Sequence, residues 1–303
     1  CLYIVKYQDF EESLCYFEMK QIFGKNISNN YFFSSTLIDP SRSPFIKHRL
    51  KILFTAQTLE LLCQKLQNNS VSYRKYKYTY FNINTEMKFT DWNNAINSLR
   101  DSIIGAMDFN QPDIFLGLIQ IKETWYFGEY CKNDTSWKYH DYKPNTNSHS
   151  LGIKLARALV NIAVGQNSHF KIIDPCCGIG TVIIEAVSMG LDIQGYEINW
   201  KIAEKAKENL TFFGIENLIT HADMHDITEH FDVAIVDIPY GLFTKVVLES
   251  QIQIIKTSRR IAHKLVIVTF GNMDKELLHE GFTIIDQCQV KKGQFTRYVS
   301  ICV

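Results

Sequence analysis

Proline is scarce in the second half of this chain: of six among 303 residues, only Pro175 and Pro239 lie beyond residue 150. Long apolar runs are missing as well. None approaches the roughly 18 uninterrupted residues of a membrane-spanning helix, so no membrane partner is expected. Lys6 and Asp9 interrupt the first apolar stretch, and no secretory signal is expected there. The eight cysteines include no Cys-x-x-Cys pair, which fits neither a zinc nor a disulfide framework and leads us to expect a reducing, cytoplasmic setting. Net charge is also absent, with 32 Lys+Arg against 32 Asp+Glu, so overall charge does not argue for an anionic partner. Internal repeats and low-complexity tracts are not found. What remains is an ordinary globular composition in a chain long enough for two domains.

From about residue 150 short apolar strands alternate with helical patterns, which predicts an α/β fold with a mostly parallel, doubly wound sheet. Strands are expected near 171–174, 192–197, 217–221, 232–237, 264–270, 282–290 and 295–302. Helices are expected near 151–164, 180–189, 199–213, 243–261 and 273–280. Leu151, Leu155, Leu159 and Ile162 keep helical spacing, with Ser150 placed to cap the helix. Only Lys291–Gln294 separates the last two strands, so they should form an antiparallel hairpin. The front half reads as strand, helix, strand, strand, helix, strand, a ferredoxin-like α+β order. A helix over Trp92–Ile104, a hairpin across Ile114–Cys131 and a linker at Trp137–Ser148 complete it.

The two late prolines mark the chemistry. Each stands just past an aspartate that ends an apolar strand, in Asp174-Pro175-Cys176-Cys177-Gly178-Ile179-Gly180-Thr181 and Asp237-Ile238-Pro239-Tyr240-Gly241. Gly178 and Gly180 allow a tight turn and close approach of a ligand, and the helix from Gly180 offers free N–H groups. The dinucleotide fingerprint would need a third glycine where Ile183 stands. Seventeen residues after Gly180, a strand ends at Glu197, where a carboxylate can accept both hydroxyls of an unphosphorylated ribose. Together these favour a nucleoside cofactor over a plain crossover. Asp223, after the next strand, is placed to take an adenine amino group. His221, His225 and His230 do not match His-Glu-x-x-His; they read as surface histidines, and no metal site is expected.

In the second turn, the Asp237 carboxylate and the Ile238 carbonyl would be two acceptors for the exocyclic amine of a purine, whose lone pair is otherwise delocalised into the ring. Pro239 would stiffen the turn, and Tyr240 would give an extruded base a face to stack on. For nucleic-acid contact, strand alternation over residues 73–80 puts Arg74, Tyr76, Tyr78 and Tyr80 on one face and Tyr73, Lys75 and Lys77 on the other. Such faces stack bases and grip phosphate, with Arg74, Lys75, Tyr76 and Lys77 as the candidates. Equally, this is an amphipathic edge strand whose lysines discourage aggregation. Lys291, Lys292 and Arg297 should flank the active edge less directly.

These motifs resemble Asp-Pro-Phe-Cys-Gly-x-Gly-Thr and Asp-Pro-Pro-Tyr-Gly of the class I S-adenosylmethionine-dependent amino-methyltransferases of nucleic acids. More closely, the second half is similar to the THUMP-linked tRNA guanine-N2-methyltransferases, through Tyr142-Lys143-Pro144, His149-Ser150-Leu151 and Leu155-Ala156-Arg157-Ala158-Leu159-Val160-Asn161. The resemblance implies a ferredoxin-like domain at 1–70, a partial THUMP-like RNA-binding region and linker at 71–140, and a Rossmann-like methyltransferase domain with a seven-stranded sheet at 141–303. It implies S-adenosylmethionine as cofactor, held by Asp174, Cys176, Gly178, Gly180, Thr181, Glu197, Asp223, His149 and Ser150. It further implies direct methyl transfer to a flipped guanine, at nucleotide ten of tRNA, by a monomer. Some members depend on a small activating partner, which stays open for this chain. Two departures stand out. Ile238 replaces the first proline of the second motif, with less turn rigidity, and residues 70–140 are short for a complete THUMP domain. N6-adenine methylation of DNA or RNA suits the same acceptors, and a non-catalytic RNA-binding protein with a relic fold is the third reading. Covalent cytosine chemistry would need a nucleophilic cysteine. Cys176 and Cys177 sit in the cofactor loop instead.

Overall fold

The computed structural model describes residues 1–83, 87–146, 150–239, 247–292 and 295–303. Its contacts divide into two compact units, residues 1–6 with 28–134, and residues 7–27 with 135–303. No helix among the described residues is long and apolar enough to cross a membrane.

In chain order the first elements are β1 (Leu2–Val5), α1 (Glu12–Phe23), β2 (Tyr31–Phe33), β3 (Ile46–Ala56), α2 (Leu59–Asn68), β4 (Ser72–Thr79), α3 (Phe89–Leu99), β5 (Ile104–Met107), β6 (Ile114–Ile121) and β7 (Thr124–Lys132). The seven strands form one sheet ordered β2-β1-β3-β7-β6-β4-β5. Strand β4 runs parallel to both its neighbours, β5 and β6, and is therefore not an edge. Leu62 and Leu66 of α2, with Trp92, Ile96 and Leu99 of α3, pack on the sheet against Tyr76, Tyr78, Leu116 and Phe127. The helix expected to reach Ile104 stops at Leu99, because Arg100–Ser102 tighten into a 3-10 turn and Ile104 opens β5. The last helical residues of the sequence pattern were a strand.

The second unit continues with α4 (Ile153–Val164), β8 (Ile172–Asp174), α5 (Thr181–Ser188), β9 (Ile193–Glu197), α6 (Trp200–Phe212), β10 (Ile219–His221), β11 (Phe231–Asp237), α7 (Leu248–Ile261), β12 (Ala262–Thr269), α8 (Asp274–His279), β13 (Ile284–Lys292) and β14 (Phe295–Cys302). Its sheet has the order β10-β9-β8-β11-β12-β14-β13. Strands β8 to β12 pair in parallel, and β14 enters antiparallel between β12 and β13. This is the seven-stranded class I methyltransferase arrangement, closed by the expected hairpin. Ala234, Val236 and Ile238 pack with Ile254, Ile255 and Ile261 of α7. Alternation along the strand turns Val233 and Ile235, both fully buried, to the opposite face.

Helix α1 belongs to this unit, although its sequence neighbours lie in the other sheet. It packs against α4 and β13. Asn161 donates to Glu18 at 2.6 Å, and Gln166 donates to the Ile22 carbonyl at 2.8 Å. With α1 and α5 on its flanks, α4 is buried along almost its whole length. The helix begins two residues after Ser150, with Gly152 at the cap position and no side-chain cap.

The buried Arg157 of α4 donates to Glu185 of α5 at 2.6 Å and to the Ser188 hydroxyl at 2.9 Å. His140 meets the other oxygen of Glu185 at 2.7 Å. Since α5 starts straight out of the glycine turn, this cluster fixes the helix that carries the turn. Arg157→Met leaves the Glu185 carboxylate buried without its main cation and should cost about 3–5 kcal/mol of unfolding free energy in urea. The double variant Arg157→Met, Glu185→Met should recover most of that loss.

Candidate functional site

Strand order reverses between β8 and β11, since the chain passes outward through β9 and β10 before returning to β11 and β12. Asp174 ends β8 and Asp237 ends β11, at the carboxyl edge of adjacent strands. Ligands of open α/β sheets bind at this crevice. The two aspartates that the prolines mark in sequence thus flank the switch point.

The first turn folds around its own acids. Asp174, 4% exposed, accepts a hydrogen bond from the Cys176 N–H at 3.3 Å. Gly178 (φ 54°) and Gly180 (φ 81°) take left-handed conformations that side chains disfavour. At Gly180 a Cβ would also meet Leu210 at 3.0 Å. The turn delivers the Gly178 N–H to Glu197 Oε2 at 3.1 Å, while Glu197 Oε1 accepts from Asn199 N–H at 2.8 Å. Two acceptor positions of Glu197 are thereby used and others stay open. Asp223 accepts from the His225 N–H at 2.9 Å. A cavity of about 210 Å³ is lined by Cys176, Glu197, Ile198, Asp223, Met224 and Asp237, with Pro175, Pro239 and Ile254 also at its wall. The hydroxyl of the buried Thr181 has no partner among the described residues.

The second turn is held from two sides. Ile238 is 1% exposed, with its side chain in the core under α7, and its N–H donates to the Val268 carbonyl of β12 at 3.1 Å. A proline could not make that bond. The residue that departs from the family motif therefore replaces ring rigidity with a hydrogen bond and burial. Gln251 of α7 donates to the Pro239 carbonyl at 2.8 Å. Asp237 Oδ1 is buried and finds no donor among the described residues.

Burial pushes the Asp174 carboxyl up to about 8, with Asp237 and Glu197 adding repulsion and the Cys176 N–H opposing. Burial likewise raises Asp237 to about 7, against the pull of Arg297. The thiols of Cys176 and Cys177 are pushed up by burial and then by Asp174, so neither is a ready nucleophile.

The structure brings together Asp174, Cys176, Gly178, Gly180, Thr181, Glu197, Asp223, Asp237, Ile238 and Pro239 around the switch point. Ser150 precedes α4. His149, Tyr240 and Gly241 lie outside the described residues. Of the RNA candidates on β4, Tyr76 is corrected by its burial. Tyr76, 2% exposed, and Tyr78, 6% exposed, share one face as alternation predicts, but α2 and α3 cover that face and make both core residues. Arg74 is held by Asp113 through two bonds of 2.7 and 2.8 Å, Lys75 by Asp108 at 2.9 Å, and Lys77 donates to the Phe109 carbonyl at 3.1 Å. Sequence reasoning passed over Ile198, Met224 and Ile254, which carry no motif of their own. It also set Arg297 aside, although the antiparallel entry of β14 returns this residue to the Asp237 edge.

Residues 140–264 match the UPF0020 family, described as an RMKL-like methyltransferase domain. The chain is 38% identical over 96 residues to a tRNA (guanine(10)-N2)-dimethyltransferase of Methanothermobacter thermautotrophicus, covering 31% of this chain and 28% of that one. It is 27% identical over 147 residues to the protein of the same name from Pyrococcus abyssi, covering 46% and 44%. The matches thus span less than half the length of either relative. Among solved structures, TrmN from Thermus thermophilus aligns with 99% of this chain and 98% of its own, at 14% identity and a TM-score of 0.49. The family resemblance read from the sequence is borne out by the matched domain and by the two tRNA (guanine(10)-N2)-dimethyltransferases.

Because the Asp174 carboxyl is raised on folding, its protonated form stabilises the ligand-free protein. That contribution is complete below about pH 4 and is lost as pH rises through about 8. Asp174→Asn should therefore raise unfolding stability by about 1–3 kcal/mol at pH 8 and change it little at pH 4. Urea unfolding at the two pH values measures the difference.

Proposed function

We propose that this chain, whose residues 140–264 match the RMKL-like methyltransferase domain, transfers a methyl group from S-adenosylmethionine to the exocyclic amine of an extruded guanine in tRNA. The observation that carries the reading is the buried Asp237 carboxyl, in the wall of a carboxylate-lined cavity at the switch point, whose Oδ1 has no donor among the described residues. A cluster of acids in a low-dielectric crevice suits a ligand with positive charge, and the residues present fit this cofactor on that ground.

Glu197 would hold the ribose hydroxyls with its open acceptor positions. Asp223 would take the adenine amino group, and Ile198 and Met224 would lie against the ring. Asp174 and the Gly178–Gly180 turn would receive the amino-acid end, with the Thr181 hydroxyl as a further donor. When bound, S-adenosylmethionine supplies an electrophilic methyl group on a positively charged sulfur. Asp237 Oδ1 and the Ile238 carbonyl would accept the two N–H bonds of the amine and turn its lone pair toward the cavity. Held from β12 and α7, these acceptors need not reorganise as charge develops. Asp237, with its carboxyl raised toward neutrality, is also suited to take the proton that the alkylated amine sheds.

The substrate assignment is supported by the two relatives named tRNA (guanine(10)-N2)-dimethyltransferase. Asp237→Asn should lower methyl transfer about 10²–10³-fold, as loss of a charged acceptor does, while leaving the dissociation constant for S-adenosylmethionine within about threefold. Glu197→Gln should do the reverse, weakening cofactor binding by about tenfold. The decisive assay is transfer of labelled methyl into tRNA followed by digestion to nucleosides. N2-methylguanosine supports the assignment, and N6-methyladenosine alone would move it to the other purine.

A further inference from the structure

A second hollow in the methyltransferase unit, a groove of about 750 Å³ between α1 and the β13–β14 hairpin, has no part in the site above. Its volume is that of a small-molecule pocket. The strand register ties it to the active edge. Asp237 pairs with Val268 and Val268 with Val299, and in the adjoining row Thr269 pairs with Tyr298 and Tyr298 with Gln289. Three strand spacings, on the order of 15 Å, thus separate the Asp237 turn from Gln289 along one edge of the sheet.

The lining is aromatic and amide-rich. Tyr16 and Tyr298 are half-buried, and the Tyr16 hydroxyl meets that of Tyr7 at 2.7 Å, which fixes its ring. Asn26 and Gln289 are exposed, and neither amide has a protein partner among the described residues. The groove's cation, Lys20, is neutralised by Asp286 at 2.6 Å. The cation in the lining is therefore already paired within the chain. Rings that stack and amides that both donate and accept are the groups that read the face and edges of an unpaired base.

We propose that this groove holds an unpaired base of the substrate RNA, a close neighbour of the one that is methylated. The proposal rests on the RNA methyltransferase reading, and its position on the same sheet edge explains how one strand would serve both hollows. The full chain carrying Asn26→Ala with Gln289→Ala should show a KM for unfractionated tRNA raised by about fivefold or more, the loss of about one hydrogen bond. Its kcat and its dissociation constant for S-adenosylmethionine should stay within about twofold. In the unaltered protein, tRNA transcribed with 4-thiouridine should crosslink under ultraviolet light to peptides from residues 13–27 or 286–298. An unchanged KM overturns the proposal, and so does crosslinking confined to other peptides. If the unaltered protein transfers no methyl to tRNA, the enzyme reading fails instead. The groove is then judged by tRNA affinity in fluorescence anisotropy, where equal affinities of the two proteins overturn it as well.

Discussion

The acidic crowding at the switch point sets the terms for everything around it. Asp174, Glu197 and Asp237 stand at the ends of three neighbouring strands, and burial together with the charges of Asp237 and Glu197 pushes the Asp174 carboxyl up. Glu197 is held by two backbone N–H groups, which is possible only because Gly178 and Gly180 let the turn double back. Asp174 has one such bond, and Asp237 Oδ1 has none among the described residues. The site thus keeps acceptors that no other described residue satisfies. Buried acceptors left open in this way cost stability, and they are the groups a cationic or amine-bearing ligand would satisfy.

Such an arrangement works only if the turns cannot relax. The second turn shows how rigidity is reached without the usual pair of prolines. Ile238 gives up the ring constraint but gains an N–H that reaches Val268, and its side chain closes over the core beneath α7. Gln251 then pins the next carbonyl. The first turn relies on depth: α5 is locked to α4 through Arg157 and Glu185, so the helix start that follows Gly180 has a fixed origin. The ion pair is remote from the cavity, yet it determines where the turn sits.

Much of this was legible in the sequence because local pattern and tertiary role coincide there. The strands from β8 to β14 follow their apolar runs, and Asp174, Glu197 and Asp237 fall at strand ends where their motifs put them. Failures came where tertiary contact overrides local signal. Helix α1 has the order of a ferredoxin-like unit, but its buried Glu18 and Ile22 find partners on α4 and the segment after it. Strand β5 was hidden in what looked like a helix end. Sequence likewise does not show the partners that Arg74, Lys75 and Lys77 find in Asp113, Asp108 and the Phe109 carbonyl. Tyr76 looked like a stacking platform because alternation gives the face of a strand but not what covers it, here α2 and α3.

The pairing of surface cations has a consequence for how RNA could be held. Arg74 with Asp113, Lys75 with Asp108 and Lys20 with Asp286 are already neutralised within the chain, and the overall charge is zero. A protein that displaces few counterions gains little from phosphate contacts and shows a shallow dependence of affinity on salt. On the proposed RNA methyltransferase reading, recognition would then come from bases taken out of their stacks, in the cavity beside Asp237 and in the groove between α1 and the β13–β14 hairpin. That demand is consistent with the chemistry. An exocyclic amine can be methylated in line only after the base leaves its pair, so the step that exposes the nucleophile is the same step that makes its neighbours available to be read.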